Sequence, residues 1–126
     1  MATTNALTNY GENALTDYLV TGSGTKYLAL FSTAVAEDGT GTELSGTWYA
    51  RKEITFGASV DGTASNSTNI AFDEVTDTAV NVNSWALYDS LTGGNAWVYG
   101  AFTVAKTASV GTNILIQAGD ISVTGS

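Results

Sequence analysis

The first twenty residues carry apolar side chains at the spacing of an α-helix. Intervals of three and four recur among them, and the set comprises Leu7, Tyr10, Ala14, Leu15, Tyr18 and Leu19. This pattern predicts a helix near residues 9–20 with one apolar stripe. Asn9, followed three residues later by Glu12, resembles a capping box at the start of the helix. Gly22 and Gly24 are suited to ending it.

From residue 26 onward the apolar positions follow the period of two that is typical of β-strands. Trp48, Ile54 and Phe56 share one face of the most regular segment, in which Lys52 is the exception. The predicted strands are short and lie near residues 27–31, 47–56, 67–72, 79–88, 96–105, 113–117 and 121–124. Two polar stretches, residues 34–46 and 57–66, are predicted loops.

One helix followed by many short strands predicts a mainly β fold. We expect an antiparallel β-sandwich or jelly roll of about 7–8 strands, with the N-terminal α-helix packed across one end. The sequence shows no linker and no internal repeat, so a single domain is expected over residues 1–126.

The composition excludes several kinds of chemistry. The 126 residues include no Cys and no His, which removes thiol nucleophiles, disulfides, His-ligated metals and Ser-His-Asp triads. Four Lys and Arg against twelve Asp and Glu give a net charge of −8, which opposes binding to a nucleic-acid backbone. The longest apolar run, residues 27–31, is too short to cross a bilayer. We therefore expect no enzyme activity, no cofactor or metal, no nucleic-acid partner and no membrane association.

Two acidic clusters offer alternatives to that expectation. Asp38 and Glu43 flank a glycine-rich loop, and carboxylate oxygens are ligands that Ca²⁺ prefers. The loop lacks the ligand spacing of an EF-hand, so an exposed polar loop is the favoured interpretation. Asp73, Glu74 and Asp77 form a similar group, and no pair of carboxylates stands out as a glycosidase acid and base.

Aromatic residues occur in pairs on three of the predicted strands. The six are Trp48, Tyr49, Trp85, Tyr88, Trp97 and Tyr99. A carbohydrate-binding adhesin would use exposed rings such as those of Trp48, Trp85 or Trp97 to stack on sugars. The favoured interpretation is that one member of each pair fills the core while the other covers a sheet or subunit interface.

Candidate partner-contact residues come from one strand face and one loop. Tyr49 and Arg51 point away from the predicted core face, and arginine beside an aromatic residue is typical of protein interfaces. An ordinary exposed strand face with weak ion pairs is the alternative. Glu37, Asp38 and Glu43 lie in the longest polar loop. We predict these five residues as the interface with a partner.

The polar residues are mostly neutral. The chain has 20 Thr, 11 Ser and 9 Asn, while charged residues make up 13%. This share is about half of what is usual for globular domains. Hydroxyl and amide groups can form contacts without desolvating ions, so this composition suits a component of a dense assembly or a secreted adhesive module.

Short motifs in a fixed order resemble a known family. The first is Leu7-Thr8-Asn9-Tyr10-Gly11-Glu12-Asn13-Ala14-Leu15, and the second is Tyr27-Leu28-Ala29-Leu30-Phe31. Further matches are Gly41-Thr42-Glu43, Tyr49-Ala50-Arg51, Thr55-Phe56-Gly57, Ser65-Asn66, Tyr88-Asp89, Gly93-Gly94-Asn95, Tyr99-Gly100-Ala101, Lys106 and Ala118-Gly119. The chain thereby resembles a family of small tailed-bacteriophage virion structural proteins, described as tail-fibre-like or capsid decoration proteins. The motifs specify a scaffold and carry no catalytic chemistry.

The resemblance implies a non-enzymatic virion structural protein. Our first expectation is a capsid decoration (cement) protein that binds across neighbouring capsid subunits. A tail or tail-fibre component is the second, and a carbohydrate-binding adhesin is the third. Expected partners are the major capsid protein or other virion proteins, and further copies of the chain in a homotrimer. The expected location is the virion, assembled in the host cytoplasm.

Overall fold

The computed structural model describes residues 7–125. Its helix α1 spans Asn9–Asp17 and continues into a π-helical turn at Tyr18–Gly22. The prediction of a helix near residues 9–20 is therefore confirmed.

The cap of this helix differs from the prediction. Thr8 is the N-cap, and its side-chain oxygen accepts a hydrogen bond from the N–H of Gly11 at 3.1 Å. Asn9 is already the first helical residue, so the predicted cap at Asn9 is wrong by one position. The hydroxyl of Thr8 satisfies one of the N–H groups that an α-helix leaves free at its start.

Within residues 7–125, eight strands of 2 to 13 residues follow the helix. They are β1 (Lys26–Phe31), β2 (Lys52–Ile54), β3 (Thr63–Ser65), β4 (Ile70–Ala71), β5 (Val80–Tyr88), β6 (Ala96–Ala108), β7 (Leu115–Ile116) and β8 (Ser122–Thr124). A four-stranded sheet has the order β2-β1-β5-β6, and the other strands form the ribbons β3-β8 and β4-β7. All pairings are antiparallel. The mainly β, antiparallel fold with an N-terminal helix is confirmed, while its jelly-roll form stays a prediction.

The two faces of β1 belong to two hydrophobic clusters. Leu28 and Leu30 join the main cluster, whereas Ala29 and Phe31 join a smaller one on the opposite face. Each strand contributes at least one buried residue to the main cluster; examples are Leu28, Ile54, Ala64, Ile70, Val82, Ala108, Ile116 and Val123. The single domain over residues 1–126 stays a prediction, and residues 1–6 and 126 lie outside the described part.

Two predicted boundaries are corrected by the structure. The strand predicted over residues 47–56 is regular only at β2, because the N–H of Tyr49 bonds to the carbonyl of Gly46 and turns the chain. Strand β3 lies within the predicted loop 57–66. Its small residues pair with β8 through hydroxyl contacts, which include Thr63 to Thr124 at 2.9 Å. Apolar periodicity does not detect a strand of this composition.

Helix α1 packs against the sheets through its polar side. The hydroxyl of the buried residue Thr16 donates to the carbonyl of Gly62 at 2.7 Å and accepts from the N–H of Gly125 at 2.9 Å. Asn13 Oδ1 accepts from the N–H of Gly62 at 2.8 Å. Of the apolar stripe predicted from the sequence, Leu7, Tyr10, Leu15 and Tyr18 are exposed, whereas Leu19 is half-buried and packs against the main hydrophobic cluster.

Candidate functional site

A buried arginine organises one face of the four-stranded sheet. Arg51 immediately precedes β2, and its side chain is only 8% exposed. The guanidinium carbon lies 3.8 Å from the centroid of the Tyr88 ring on β5. Stacking on an aromatic face is a favourable environment for a weakly hydrated guanidinium.

Glu43 neutralises this arginine in a two-pronged contact. Arg51 Nε donates to Glu43 Oε2 at 2.9 Å, and Nη2 donates to Oε1 at 3.0 Å. Burial disfavours the charged form of Arg51, but the hydrogen bonds and the charge of Glu43 outweigh it and raise the pKa of Arg51. Arg51 therefore stays charged at neutral pH, and the bidentate geometry of its contact with Glu43 fixes the orientation of both side chains.

Tyr49 is a third member of this cluster and bonds to Glu43. Its hydroxyl donates to Glu43 Oε2 at 2.6 Å and accepts the N–H of Leu30 at 3.1 Å. Burial, followed by the hydrogen bond to Glu43, raises the pKa of the Tyr49 phenol above its ordinary value. The phenol stays protonated, so it acts as a fixed donor between the carboxylate and strand β1.

The remaining arginine donors hold the loop between β5 and β6. Arg51 Nη1 donates to the carbonyl of Ser90 at 2.9 Å and to that of Gly93 at 2.8 Å. Within the loop, Asp89 Oδ1 accepts the N–H of Asn95 at 2.9 Å, and this bond lowers the pKa of Asp89. Gly94 has a φ of 74°, and a Cβ there would lie 2.5 Å from Asp89 Oδ1. The loop is thus fixed by contacts that require glycine.

An open groove lies beside this cluster. It has a volume of about 580 Å³ and includes Glu43, Tyr49 and Arg51 in its lining. Leu44, Ala50 and Leu91 supply its apolar side chains, and Leu91 is 54% exposed. Ser45, Thr92, Gly46 and Gly93 complete the lining. A concave, mostly apolar surface with a rigid polar wall can receive a segment of a neighbouring protein.

The structure brings three of the five predicted contact residues together, namely Glu43, Tyr49 and Arg51. Glu37 and Asp38 lie apart from them on an exposed turn. Asp38 Oδ1 accepts from the Oγ1 and the N–H of Thr40, at 2.6 and 3.0 Å, and these bonds lower the pKa of Asp38.

Tyr88 links the turn to the cluster, because its hydroxyl donates to the carbonyl of Gly39 at 3.3 Å while its ring stacks under Arg51. The sequence placed Tyr88 among the paired aromatic residues and in the Tyr88-Asp89 motif, but did not indicate its contact with Arg51. It missed the carbonyls of Ser90 and Gly93, for which the adjacent Gly93-Gly94 pair was the available signal. Contact of the five predicted residues with a partner stays a prediction.

The two acidic clusters do not form a shared cation site. Asp38 bonds within its own turn and Glu43 bonds to Arg51, so their carboxylates serve different partners. Asp77 Oδ1 accepts the indole N–H of Trp48 at 3.0 Å. Among residues 7–125, no group of three or more acidic side chains converges in a way that could hold a metal ion.

In two of the three aromatic pairs the tryptophan fills the core, as the favoured interpretation expects, whereas Trp97 and Tyr99 on β6 are both exposed, so that interpretation is wrong for the third pair. Trp48 is 4% exposed and Trp85 is 5% exposed. Neither ring can stack on a sugar, so these two candidates for an adhesin site are wrong. Trp97 is 38% exposed, but Lys26 Nζ lies 4.6 Å from its ring and Tyr18 contacts it edge-on.

Comparison with known proteins identifies one family. A family model described as "Podophage GP4 fiber I protein gp80" matches residues 6–124 of the chain. No curated protein sequence matches it. In the described part of the chain, no helix has both the length and the apolar character that crossing a membrane requires.

Proposed function

Because this chain belongs to the Podophage GP4 fiber I protein gp80 family and is therefore a virion structural protein, we propose that it is a non-enzymatic component of a phage tail fibre. The match over residues 6–124 is the observation that carries this proposal. It favours the second of our expectations over the first, capsid decoration. The virion location and the phage origin follow from the family itself.

The structure supports a binding role for the protein. The Arg51 side chain bonds to Glu43 and to the carbonyls of Ser90 and Gly93, and these bonds fix the loops. Because the charged groups of this cluster bond to one another, they are not free to act in catalysis. The hydroxyl pairs between β3 and β8 present a neutral surface to neighbouring molecules. A protein that binds only the assembled particle stabilises that state by mass action.

The groove beside Arg51 is the contact site that we assign to a neighbouring virion protein. The Glu43–Arg51 pair forms its polar wall, and Arg51 Nη1 holds the loop that carries Leu91 by donating to the carbonyls of Ser90 and Gly93. A preformed site of this kind loses little conformational entropy when a partner binds. The exposed turn with Glu37 and Asp38 is joined to the cluster by Tyr88, whose hydroxyl donates to the carbonyl of Gly39 at 3.3 Å.

Self-association is a further part of the proposal. Virion attachment proteins commonly adopt the symmetry of the structure on which they sit, and a homotrimer is our specific expectation. The major capsid protein remains the alternative partner if the chain decorates the shell.

Fractionation of purified virions tests the location. Particles are broken, tails with fibres are separated from capsids, and each fraction is probed with an antibody raised against this chain. The proposal expects the chain with the tail and fibre fraction. Recovery with capsids alone would support decoration instead and contradict the fibre assignment.

A further inference from the structure

The two edges of the four-stranded sheet differ in length and in charge. At one edge, β2 has three residues, and two of them, Lys52 and Glu53, are charged. At the other edge, β6 has 13 residues, among which Lys106 is the single charged one. Short edge strands and edge charges oppose pairing with a strand of another protein. The sequence therefore protects the edge formed by β2 and leaves the edge formed by β6 open.

The outer edge of β6 is uncovered along most of its length. Strand β5 pairs with the inner edge, and within residues 7–125 no strand pairs with the outer one. Other segments approach β6 near its two ends, where the ring of Tyr18 meets Trp97 and Asp120 bonds to Lys106 at 3.1 Å. None of the residues between these ends is buried. We call residues 98–105 the open edge.

Half of the backbone groups on the open edge point away from the sheet. In an antiparallel strand, the N–H and C=O groups of alternate residues face opposite edges, so those of every second residue in β6 face away from β5. Within the described part of the chain, no other segment forms a hydrogen bond with these outward groups of residues 98–105. A second extended backbone is their natural complement, because its donors and acceptors recur at the same spacing.

The side chains of the open edge also suit strand pairing. This segment contains no charged residue and no proline, and it is rich in the aromatic and β-branched residues that favour strands. Tyr99 is 44% exposed and Val104 is 78% exposed, so their side chains are available to an added strand. Cross-strand contacts of such side chains stabilise a pairing beyond its backbone bonds.

We infer that the open edge receives an extended segment of a neighbouring virion protein, which adds a fifth strand to the sheet. The inference names the chemistry of a partner for the protein already proposed as a fibre component, and in that respect it rests on the proposed function. Residues 98–101 pair in regular register with residues 84–87, and the register shifts on either side of this stretch. The added strand therefore pairs with residues 98–101, because the irregularities bend β6 beyond them.

Charge favours a different protein over a second copy as the partner. Each copy of this chain has a net charge of −8, so two copies repel one another. The exposed turn with Glu37 and Asp38 lies beside the start of β6, since a Cβ at the adjacent Gly39 would be 3.3 Å from the Cβ of Ala96. The partner segment that fits this edge is uncharged along its middle and carries a basic side chain where it meets the acidic turn.

Hydrogen–deuterium exchange tests the inference on the unmodified chain, once isolated and once within whole virions. In the isolated chain, the outward amides of residues 98–101 should exchange rapidly. In virions their exchange should be slower by about tenfold or more, because an amide bonded to the added strand exchanges only when that bond opens. Equal exchange in the two states would overturn the inference. Protection of these amides in the isolated chain would also overturn it, because the strand would then pair with a second copy.

A charged edge gives a second measurement. Phage is grown in cells that produce the unmodified chain together with a variant, and mass spectrometry compares the share of the variant in the lysate and in purified virions. Ala101→Lys, at an exposed residue of the open edge, should enter virions at about one tenth or less of its share in the lysate. Ala58→Lys is the matched control at an exposed residue of a distant loop, and it should enter in proportion.

Thermal unfolding shows whether both variants are folded. Entry of folded Ala101→Lys in proportion to its share in the lysate would contradict the inference. Both measurements use whole virions, so they do not depend on whether the chain lies on the tail or on the capsid. Recovery of the chain with capsids alone would contradict the fibre assignment and leave the result for the open edge unchanged.

Discussion

Arg51 shows at the residue scale how one side chain can fix three separate segments. Its donors reach Glu43 in the β1–β2 connection and two carbonyls in the β5–β6 loop, while its charge lies over Tyr88. A charge taken out of water in this way is tolerated because every contact is close and charge-assisted. Arg51 therefore determines the shape of the groove and contributes to the stability of the folded protein.

Replacing Arg51 with methionine should destabilise the protein strongly. Arg51→Met leaves Glu43 without its counter-charge and frees two loop carbonyls, and we expect the free energy of unfolding to fall by about 2–4 kcal/mol. Urea denaturation measures this change. The matched control is Lys52→Met, which removes an ion pair between Lys52 and Asp73 that is largely exposed. This control should cost less than about 1 kcal/mol, and equal losses for both variants would contradict the account.

Tyr49 should make stability depend on alkaline pH. Its pKa is raised in the folded protein, so above pH 10.0 the unfolded chain loses the phenol proton while the folded protein keeps it. The stabilising contribution of Tyr49 is therefore complete below pH 10.0 and decreases as the pH rises further, by about 1.4 kcal/mol per pH unit. Comparison of the unmodified chain with Tyr49→Phe isolates this effect. A difference in unfolding free energy that stays constant between pH 9 and about 11 would refute it.

At the scale of elements, periodicity predicts the existence of α1 and most strands but not their surroundings. The interval pattern of Leu7, Tyr10 and Ala14 is helical, yet it could not show that this stripe turns away from the sheets. That orientation is decided by Thr16 and by backbone groups distant in the sequence. Strand β3 was not predicted, because its pairing with β8 depends on hydroxyl pairs and on contact between distant segments. Neither appears as apolar periodicity in the sequence.

The start of α1 gives a test at this scale. Thr8→Ala removes the side-chain oxygen that accepts the Gly11 N–H, and should reduce stability by about 1 kcal/mol. Asn9→Ala changes a residue inside the first turn and should alter stability by less than about 0.5 kcal/mol. Thermal unfolding followed by circular dichroism compares the two. A larger loss for Asn9→Ala would restore the cap predicted from the sequence.

The pairing of β5 with β6 depends on a glycine. Gly100 lies opposite the buried residue Trp85, and a Cβ at Gly100 would approach Trp85 Cζ2 to 2.6 Å. Gly100→Ala should therefore reduce the free energy of unfolding by about 1–3 kcal/mol and shift the tryptophan fluorescence. Gly57→Ala is the control, because its Cβ would meet no atom within 4 Å. The control should leave stability unchanged or raise it by up to about 1 kcal/mol.

At the scale of the whole molecule, the chain combines a fixed interior with surfaces suited to neighbours. Charged groups are used internally at Arg51, Glu43 and the buried residue Lys26. The exposed surface includes the hydroxyl pairs between β3 and β8 and an open groove beside Arg51. Sequence motifs revealed the virion family, whereas the groove and the direction of the apolar stripe required the structure, because both depend on contacts between distant segments.

Cryo-electron microscopy of the intact virion tests the central claim most directly, namely that this protein is a fibre component of the particle. The map should contain, in the tail or its fibres, density that fits the four-stranded sheet with α1 beside it. The groove near Arg51 should face a neighbouring virion protein in that density. Density for the chain only on the capsid shell, or none anywhere on the particle, would contradict the account.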